Sequence, residues 1–223
     1  SNNAVKSDSW TKMCNIVIDK PTVMSKVVSH SFFTEFDINL FKSGKHFRLY
    51  DKLGSHLTEV DGIKGTYFAV WAPSAKSVSV IGDFNFWNDG EHQLQVRWDE
   101  SGIWEGFIPG VDKGSKYKYK IQSHHDNIWT EKADPFARLC EHPPNTASVV
   151  WEASYKWKDE KWMQTREEKN GLDKPYSVYE VHLGSWKKKN GWQYLSYLEL
   201  ADELVDYVDK MGFTHVELMP VME

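Results

Sequence analysis

Lys116-Tyr117-Lys118-Tyr119-Lys120-Ile121 alternates without a break, with three lysines on one side and Tyr117, Tyr119 and Ile121 on the other. A period of two sends successive side chains to opposite faces of a strand, so the segment predicts a strand with one buried and one wet face. Upstream stretches carry the same signal. Thr66–Trp71 (TYFAVW) stops at Ala72-Pro73, Ser77–Ile81 (SVSVI) at Gly82-Asp83, and Ile103–Ile108 (IWEGFI) at Pro109-Gly110. Ala147–Trp151 (ASVVW) closes the set. Short strands separated by turn residues at this spacing predict an all-β sandwich over residues 32–150.

Outward from the sandwich the text changes. Phe32–Tyr50 is aromatic and mixed, and reads as a short helix or turn packed on the strands after it; residues 1–31 lack periodicity and read as a loose arm. Residues 151–175 form a charged connector containing Lys156-Trp157-Lys158-Asp159-Glu160-Lys161-Trp162. In residues 176–223, Tyr176–His182 (YSVYEVH) and Thr214–Val221 (THVELMPV) both read as buried strands. Between them Ser196 and Glu199 have the spacing of a capping box, and Leu200, Ala201, Leu204, Val205, Val208 and Met211 make one apolar stripe ending at Gly212. Strand, helix, strand implies a parallel pair, which further helices and strands must cover. The chain ends at Glu223, so the reading is the first β-α-β unit of an incomplete (β/α)8 barrel or doubly wound sheet.

The chain has 223 residues, 40% of them apolar and 26% charged, within the range of ordinary globular proteins. A net charge of −5 argues against nucleic-acid and anionic-membrane partners, which select a basic excess. Cys14 and Cys140 make neither a disulfide framework nor a thiolate metal site. No stretch reaches the ~18 apolar residues of a membrane helix, and the expectation is a cytoplasmic protein. Eleven tryptophans are unusual. Their flat apolar faces with one N–H donor suit a sandwich core and equally a sugar-binding surface.

Phosphate-cradling, dinucleotide and His-Glu-x-x-His motifs are missing, and no cofactor is expected. His124-His125 are neighbours on an extended chain and point opposite ways, so they do not suggest a metal site. Lys187-Lys188-Lys189 reads as a solvated loop. Two constellations carry more. Gly82-Asp83-Phe84-Asn85-Phe86-Trp87-Asn88 comes directly after a strand. It offers an indole face beside hydroxyl-reading amides and, with Lys118 and Trp129, an open glycan platform; equally, Phe84 and Trp87 plug the sandwich edge. Tyr179–Trp186 (YEVHLGSW) places Glu180 and His182 in a strand where buried polar groups must be paired, for structure or for catalysis.

These segments, with Gly102–Phe107, Lys132–Ala137 and Gly212–Glu217, resemble the bacterial-type 1,4-α-glucan (glycogen) branching enzymes from about Phe36 to Glu223. Debranching enzymes and trehalohydrolases share a similar module and a Tyr-Glu-x-His strand, while Gly184-Ser185-Trp186 is similar to the branching-enzyme version. The resemblance implies an immunoglobulin-like carbohydrate-binding module of family 48, then the start of a family 13 glycoside hydrolase barrel. It implies cleavage of α-1,4-glucan and transfer to a glucose 6-hydroxyl by retaining double displacement. The family's catalytic carboxylates lie after the fourth and fifth barrel strands, so no catalytic residue carries over here and the chain alone is expected to be inactive. Glycan-binding positions carry over to Trp87, Lys118 and Trp129, with Asn88 beside them. The implied partners are glycogen, amylose and maltooligosaccharides, with self-association through uncovered barrel strands. A stand-alone glucan-binding module is the competing reading, and a debranching or trehalose-releasing relative is a third.

Overall fold

The computed structural model describes residues 27–221, which fall into two units divided between Ser154 and Tyr155. The first unit is built from a helix, α1 (Glu35–Lys42), and nine strands. These are β1 (Gly54–Val60), β2 (Ile63–Trp71), β3 (Ala75–Gly82), β4 (Gln95–Val96), β5 (Ile103–Pro109), β6 (Lys116–Ser123), β7 (Trp129–Lys132), β8 (Leu139–Cys140) and β9 (Ser148–Val149). Two antiparallel sheets result, ordered β1-β2-β5-β4 and β3-β6-β9-β8, with β7 on the free part of β6.

The alternation in β6 is realised. Tyr117 and Tyr119 are fully buried, and they meet Phe68, Val70, Trp104 and Ile108 of the first sheet in one core with Val78 and Val80. The first sheet is buried on its other face too. Tyr67, Ala69 and Ile103 point away from the sandwich and pack under Phe33, Ile38 and Leu53. The aromatic stretch before the sandwich therefore covers an apolar face, and its helix starts at a capping box formed by Thr34 and Asp37. The expectation for residues 1–31 lies mostly outside the described residues. Val28, near the first of the described residues, exchanges backbone hydrogen bonds with Phe107 (2.7 and 2.9 Å).

Two buried carboxylates each gather several donors. Asp134 Oδ2 accepts from the hydroxyls of Tyr117 (2.6 Å) and Tyr119 (3.0 Å), and its Oδ1 accepts from the Phe136 amide (2.8 Å). Glu105 accepts from Tyr67 (2.5 Å), Ser31 (2.9 Å) and Arg97 (2.6 Å). Burial pushes both Tyr117 and Tyr119 well up from the ordinary phenol range, with the Asp134 charge adding to it, so both hydroxyls stay donors.

The second unit contains α2 (Glu160–Lys169), β10 (Val178–Val181), α3 (Leu183–Trp186), β11 (Lys188–Lys189), β12 (Gln193–Tyr194), α4 (Tyr197–Met211) and β13 (His215–Leu218). α2 lies within the charged connector. β10 and β13 are parallel, and α4 crosses between them with Ser196–Glu199 as its capping box and Gly212 at φ 76° as its cap. Leu204 and Val208 bury Val181. The two strands are not buried as expected. All of β13 is exposed, as are Val178, Glu180 and His182, because α4 covers one face of a sheet only two strands wide. Glu180 and His182 therefore do not need buried partners; His182 Nδ1 shares a hydrogen bond with Ser185 Oγ at 2.8 Å. The three lysines after α3 are largely neutralised. Lys187 pairs with Glu203, Lys189 with Glu199, and Lys188 sits 4.8 Å from the Tyr194 ring centre.

Candidate functional site

The turn after β3 is organised by a buried side chain. Asn85 is 1% exposed; its Oδ1 accepts from the Gly82 amide (2.8 Å), and its Nδ2 donates to the Val80 carbonyl (2.9 Å) and His92 Nδ1 (2.8 Å). Gly82 has to be small, because a methyl there would collide with the Lys116 carbonyl oxygen and the Phe84 ring. Phe84 turns inward, onto the core and edge-on to His92.

The next two residues turn outward. Phe86 and Trp87 adopt φ of 54° and 61°, a left-handed backbone that costs a bulky residue about 1–3 kcal/mol each. The Gly82 carbonyl accepts from Trp87 N (2.8 Å) and the Asn85 carbonyl from Asn88 N (3.0 Å), which hold this geometry. Phe86 is 93% exposed and Trp87 41%. Asn88 Oδ1 accepts from the Gly90 amide (2.9 Å), leaving its NH2 group outside that bond.

The outer face of the second sheet supplies the rest. Lys118 and Lys120 share the wet side of β6, opposite buried Tyr117 and Tyr119. Trp129 lies across from Gln122 on β7 and is half exposed. Lys120 Nζ lies 5.8 Å from the Trp129 ring centre and 3.1 Å from Asp89 Oδ2, so one ammonium joins the β7 indole to the loop carrying Trp87 and Asn88. The outer face of β6 and β7 thus carries one exposed indole and two ammonium groups, and the Lys120–Asp89 pair brings to its edge the loop that bears Trp87 and Asn88. Indole faces suit the C–H faces of a sugar ring, and the polar groups suit its hydroxyls. Among the described residues no group of three or more His, Cys, Asp or Glu is placed to hold a metal ion, and no helix is long and apolar enough to cross a membrane.

Residues 52–137 match the family model of carbohydrate-binding module 48, described as the isoamylase N-terminal domain. Trp87, Asn88, Lys118 and Trp129 all lie inside that span. Over 190 residues the chain is 53% identical to the 1,4-alpha-glucan branching enzyme GlgB of Albidiferax ferrireducens, covering 85% of this chain and 30% of that protein. Over 195 residues it is 52% identical to GlgB of Aquifex aeolicus, covering 86% of this chain and 31% of that one. Over most of its length the chain is similar to 1,4-alpha-glucan branching enzymes.

It spans about 30% of the length of the curated branching enzymes it matches. The fold is also similar to part of Klebsiella pneumoniae pullulanase, solved in complex with maltotriose. The TM-score is 0.54 at 22% identity, with 77% of this chain and 18% of that one covered. In this module Lys120 and Asp89 join the residues that the sequence singles out. The signal for Lys120 is present in β6, where it shares its face with Lys118; its junction role depends on where the Asp89 loop lies.

Proposed function

We propose that this chain is the glucan-binding portion of a 1,4-α-glucan branching enzyme, and that Trp87, Asn88, Lys118 and Trp129 form its α-1,4-glucan contact. The observation that carries the reading is Trp87, held exposed at φ 61° by a buried asparagine network and two residues before Asp89, whose ion-pair partner Lys120 faces the Trp129 ring. Strain of this kind persists only where the surroundings over-determine it, and it presents an aromatic face that ordinary packing would bury. Indole faces stack on successive glucose rings, and the lysines and Asn88 donate to ring hydroxyls. Glycogen, amylose and maltooligosaccharides share this repeating unit.

Residues 32–150 are assigned to the module, 151–175 to a connector, 176–223 to the opening of a (β/α)8 barrel, and 1–31 to an arm. The parallel β10–β13 pair joined by α4 supports the barrel assignment, as does the similarity to branching enzymes over most of the chain. In such an enzyme a carboxylate displaces the α-1,4 bond and a second protonates the leaving oxygen, then accepts the proton of the incoming 6-hydroxyl. No residue of this chain is assigned to those steps. Its part is to hold the donor chain, raising the effective concentration of glucan at the barrel. The setting is cytoplasmic glycogen synthesis, and the apolar groove along α4 supports self-association.

Two assays test this. The 223-residue chain should be retarded by amylose in affinity electrophoresis while leaving the amylose iodine colour unchanged; unhindered migration, or loss of colour, would contradict the assignment. The same protein extended to the length of its relatives should introduce α-1,6 branches into amylose.

A further inference from the structure

In the second unit the loop between α3 and α4 folds back on itself as the β11–β12 hairpin, and its tip is Asn190-Gly191. Both residues take positive φ, 50° and 79°, and the Trp192 amide donates to the Lys189 carbonyl across them (3.1 Å). Asn-Gly fits two left-handed positions in a row, because asparagine tolerates this backbone and glycine adopts it freely. The same pair has a chemistry of its own. Attack of the Gly191 backbone nitrogen on Asn190 Cγ closes a five-membered ring, and glycine has no side chain to obstruct it.

The surroundings leave this attack open. Asn190, Gly191 and Trp192 are all exposed, and no atom beyond the adjacent residues lies within 4 Å of the position a Gly191 side chain would fill. Among the described residues no hydrogen bond holds the Asn190 carboxamide or the Gly191 amide. The strands on either side have two residues each, held by the Lys189–Glu199 pair and by Lys188 at 4.8 Å from the Tyr194 ring centre. A hairpin this short is marginal by itself, so the turn opens locally without unfolding its surroundings. The chain has one other Asn-Gly pair, Asn170-Gly171 after α2, and its setting differs. Asn170 N donates to the Arg166 carbonyl (2.8 Å) and Lys174 N to the Gly171 carbonyl (3.0 Å). Asp173 Oδ1 comes within 2.6 Å of where a Gly171 side chain would begin. That negative charge opposes loss of the Gly171 amide proton, which the attack requires.

We propose that Asn190 is a site of spontaneous covalent modification, in which its side-chain amide is exchanged for a carboxylate. The Gly191 nitrogen, once it has lost its proton, bonds to Asn190 Cγ; the Cγ–Nδ2 bond breaks, and the side-chain nitrogen takes up a proton and leaves as ammonia. Water then opens the cyclic imide at one of its two carbonyls. Addition at the side-chain carbonyl gives aspartate, and addition at the main-chain carbonyl gives isoaspartate, with one extra carbon in the backbone. Either product places a carboxylate two residues from Lys188, which has no carboxylate partner among the described residues. Isoaspartate also lengthens the turn, which the Lys188–Tyr194 register does not accommodate. Tyr194 lines an open pocket of about 540 Å³ with His182 and Tyr197, so the conversion alters a pocket wall.

The test is ageing of the 223-residue chain in mildly alkaline buffer, followed by peptide mapping with mass spectrometry, for the natural sequence, Asn190→Asp and Tyr194→Ala. The peptide carrying Asn190 should gain the mass of an amide-to-acid change, faster as hydroxide rises. Part of the product should resist a protease that cleaves before aspartate. The peptide carrying Asn170 should convert more slowly, and Asn190→Asp should show no mass gain at this turn. Tyr194→Ala removes the ring beside Lys188 and should speed conversion about two- to fivefold, the factor that an exposed cation–π contact carries. An Asn190 peptide that keeps its amide, or that converts no faster than the Asn170 peptide, would overturn the inference. An unchanged rate in Tyr194→Ala would overturn hairpin opening as the step that controls it.

Discussion

The ammonium of Lys120 lies 5.8 Å from the centre of the Trp129 ring and closes an ion pair with Asp89 on the loop after Trp87. A cation over an indole contributes about 0.5–1 kcal/mol at an exposed site, and here it also orients the ring. Lys120→Ala should weaken maltoheptaose binding about two- to fivefold, since that energy converts to such a factor. Lys120→Arg should retain most of the affinity. Titrating Lys120→Met beside them, which keeps the stem without the charge, decides whether the ammonium or the lysine stem matters.

Asn85→Ala should act on binding from beneath. It removes acceptor and donors for Gly82, Val80 and His92 in a buried position, at a cost of about 2–4 kcal/mol. It also releases the backbone that holds Trp87 at positive φ. Urea unfolding should show the stability loss, and glucan affinity should fall although every glucan-facing side chain is unchanged.

How much of this is legible in the sequence differs by element. The period-two run in β6 and the capping box of α4 announce themselves, because each depends on neighbours within a few residues. β1 escapes a reading by period, although Asp61-Gly62 makes the two-residue turn that joins it to β2; its mixed text, Gly54–Val60, lacks strict alternation because only part of it reaches the core. The exposure of β13 cannot be read from its apolar letters, since burial depends on how many strands lie beside it. At the site, Trp87 is marked by its motif, and Lys118 and Trp129 by the family resemblance. Lys120 and Asp89 require the register of β6 with β7 and the placing of the loop after β3 beside it, both long-range facts.

Asp134→Ala should be among the most damaging single changes. It leaves two buried phenol donors and one amide unpaired, which predicts a loss of about 3 kcal/mol or more by urea unfolding. Asp134→Asn retains an acceptor and should lose less.

Asp37 gives a pH dependence. Burial works to raise its carboxyl, but hydrogen bonds from Thr34, Lys52 and His46 outweigh this and hold it below its ordinary value of 3.8. A depressed carboxylate contributes stability that is complete above the unfolded value and is lost as pH falls through the folded one. The melting temperature should therefore decline more steeply below about pH 4 for the natural chain than for Asp37→Asn, which starts lower at neutral pH by the loss of the α1 cap, about 1 kcal/mol. Parallel curves for the two proteins between about pH 2 and pH 6 would remove Asp37 from this role.

The second unit has its own expectation. Leu183, Tyr197, Ala201, Val205, Leu218 and Val221 line an open apolar groove of about 330 Å³. Light scattering should show association that rises with concentration, and Leu218→Lys should shift the chain toward monomer.

Glucan binding by the β6–β7 face is the central claim, and one comparison tests it most directly. Maltoheptaose is titrated into the natural chain and into the double variant Trp87→Ala, Trp129→Ala. The account predicts saturable binding by the natural chain and loss of the β6–β7 site, by about tenfold or more in affinity, in the double variant. Equal binding in every respect by the two proteins would contradict it.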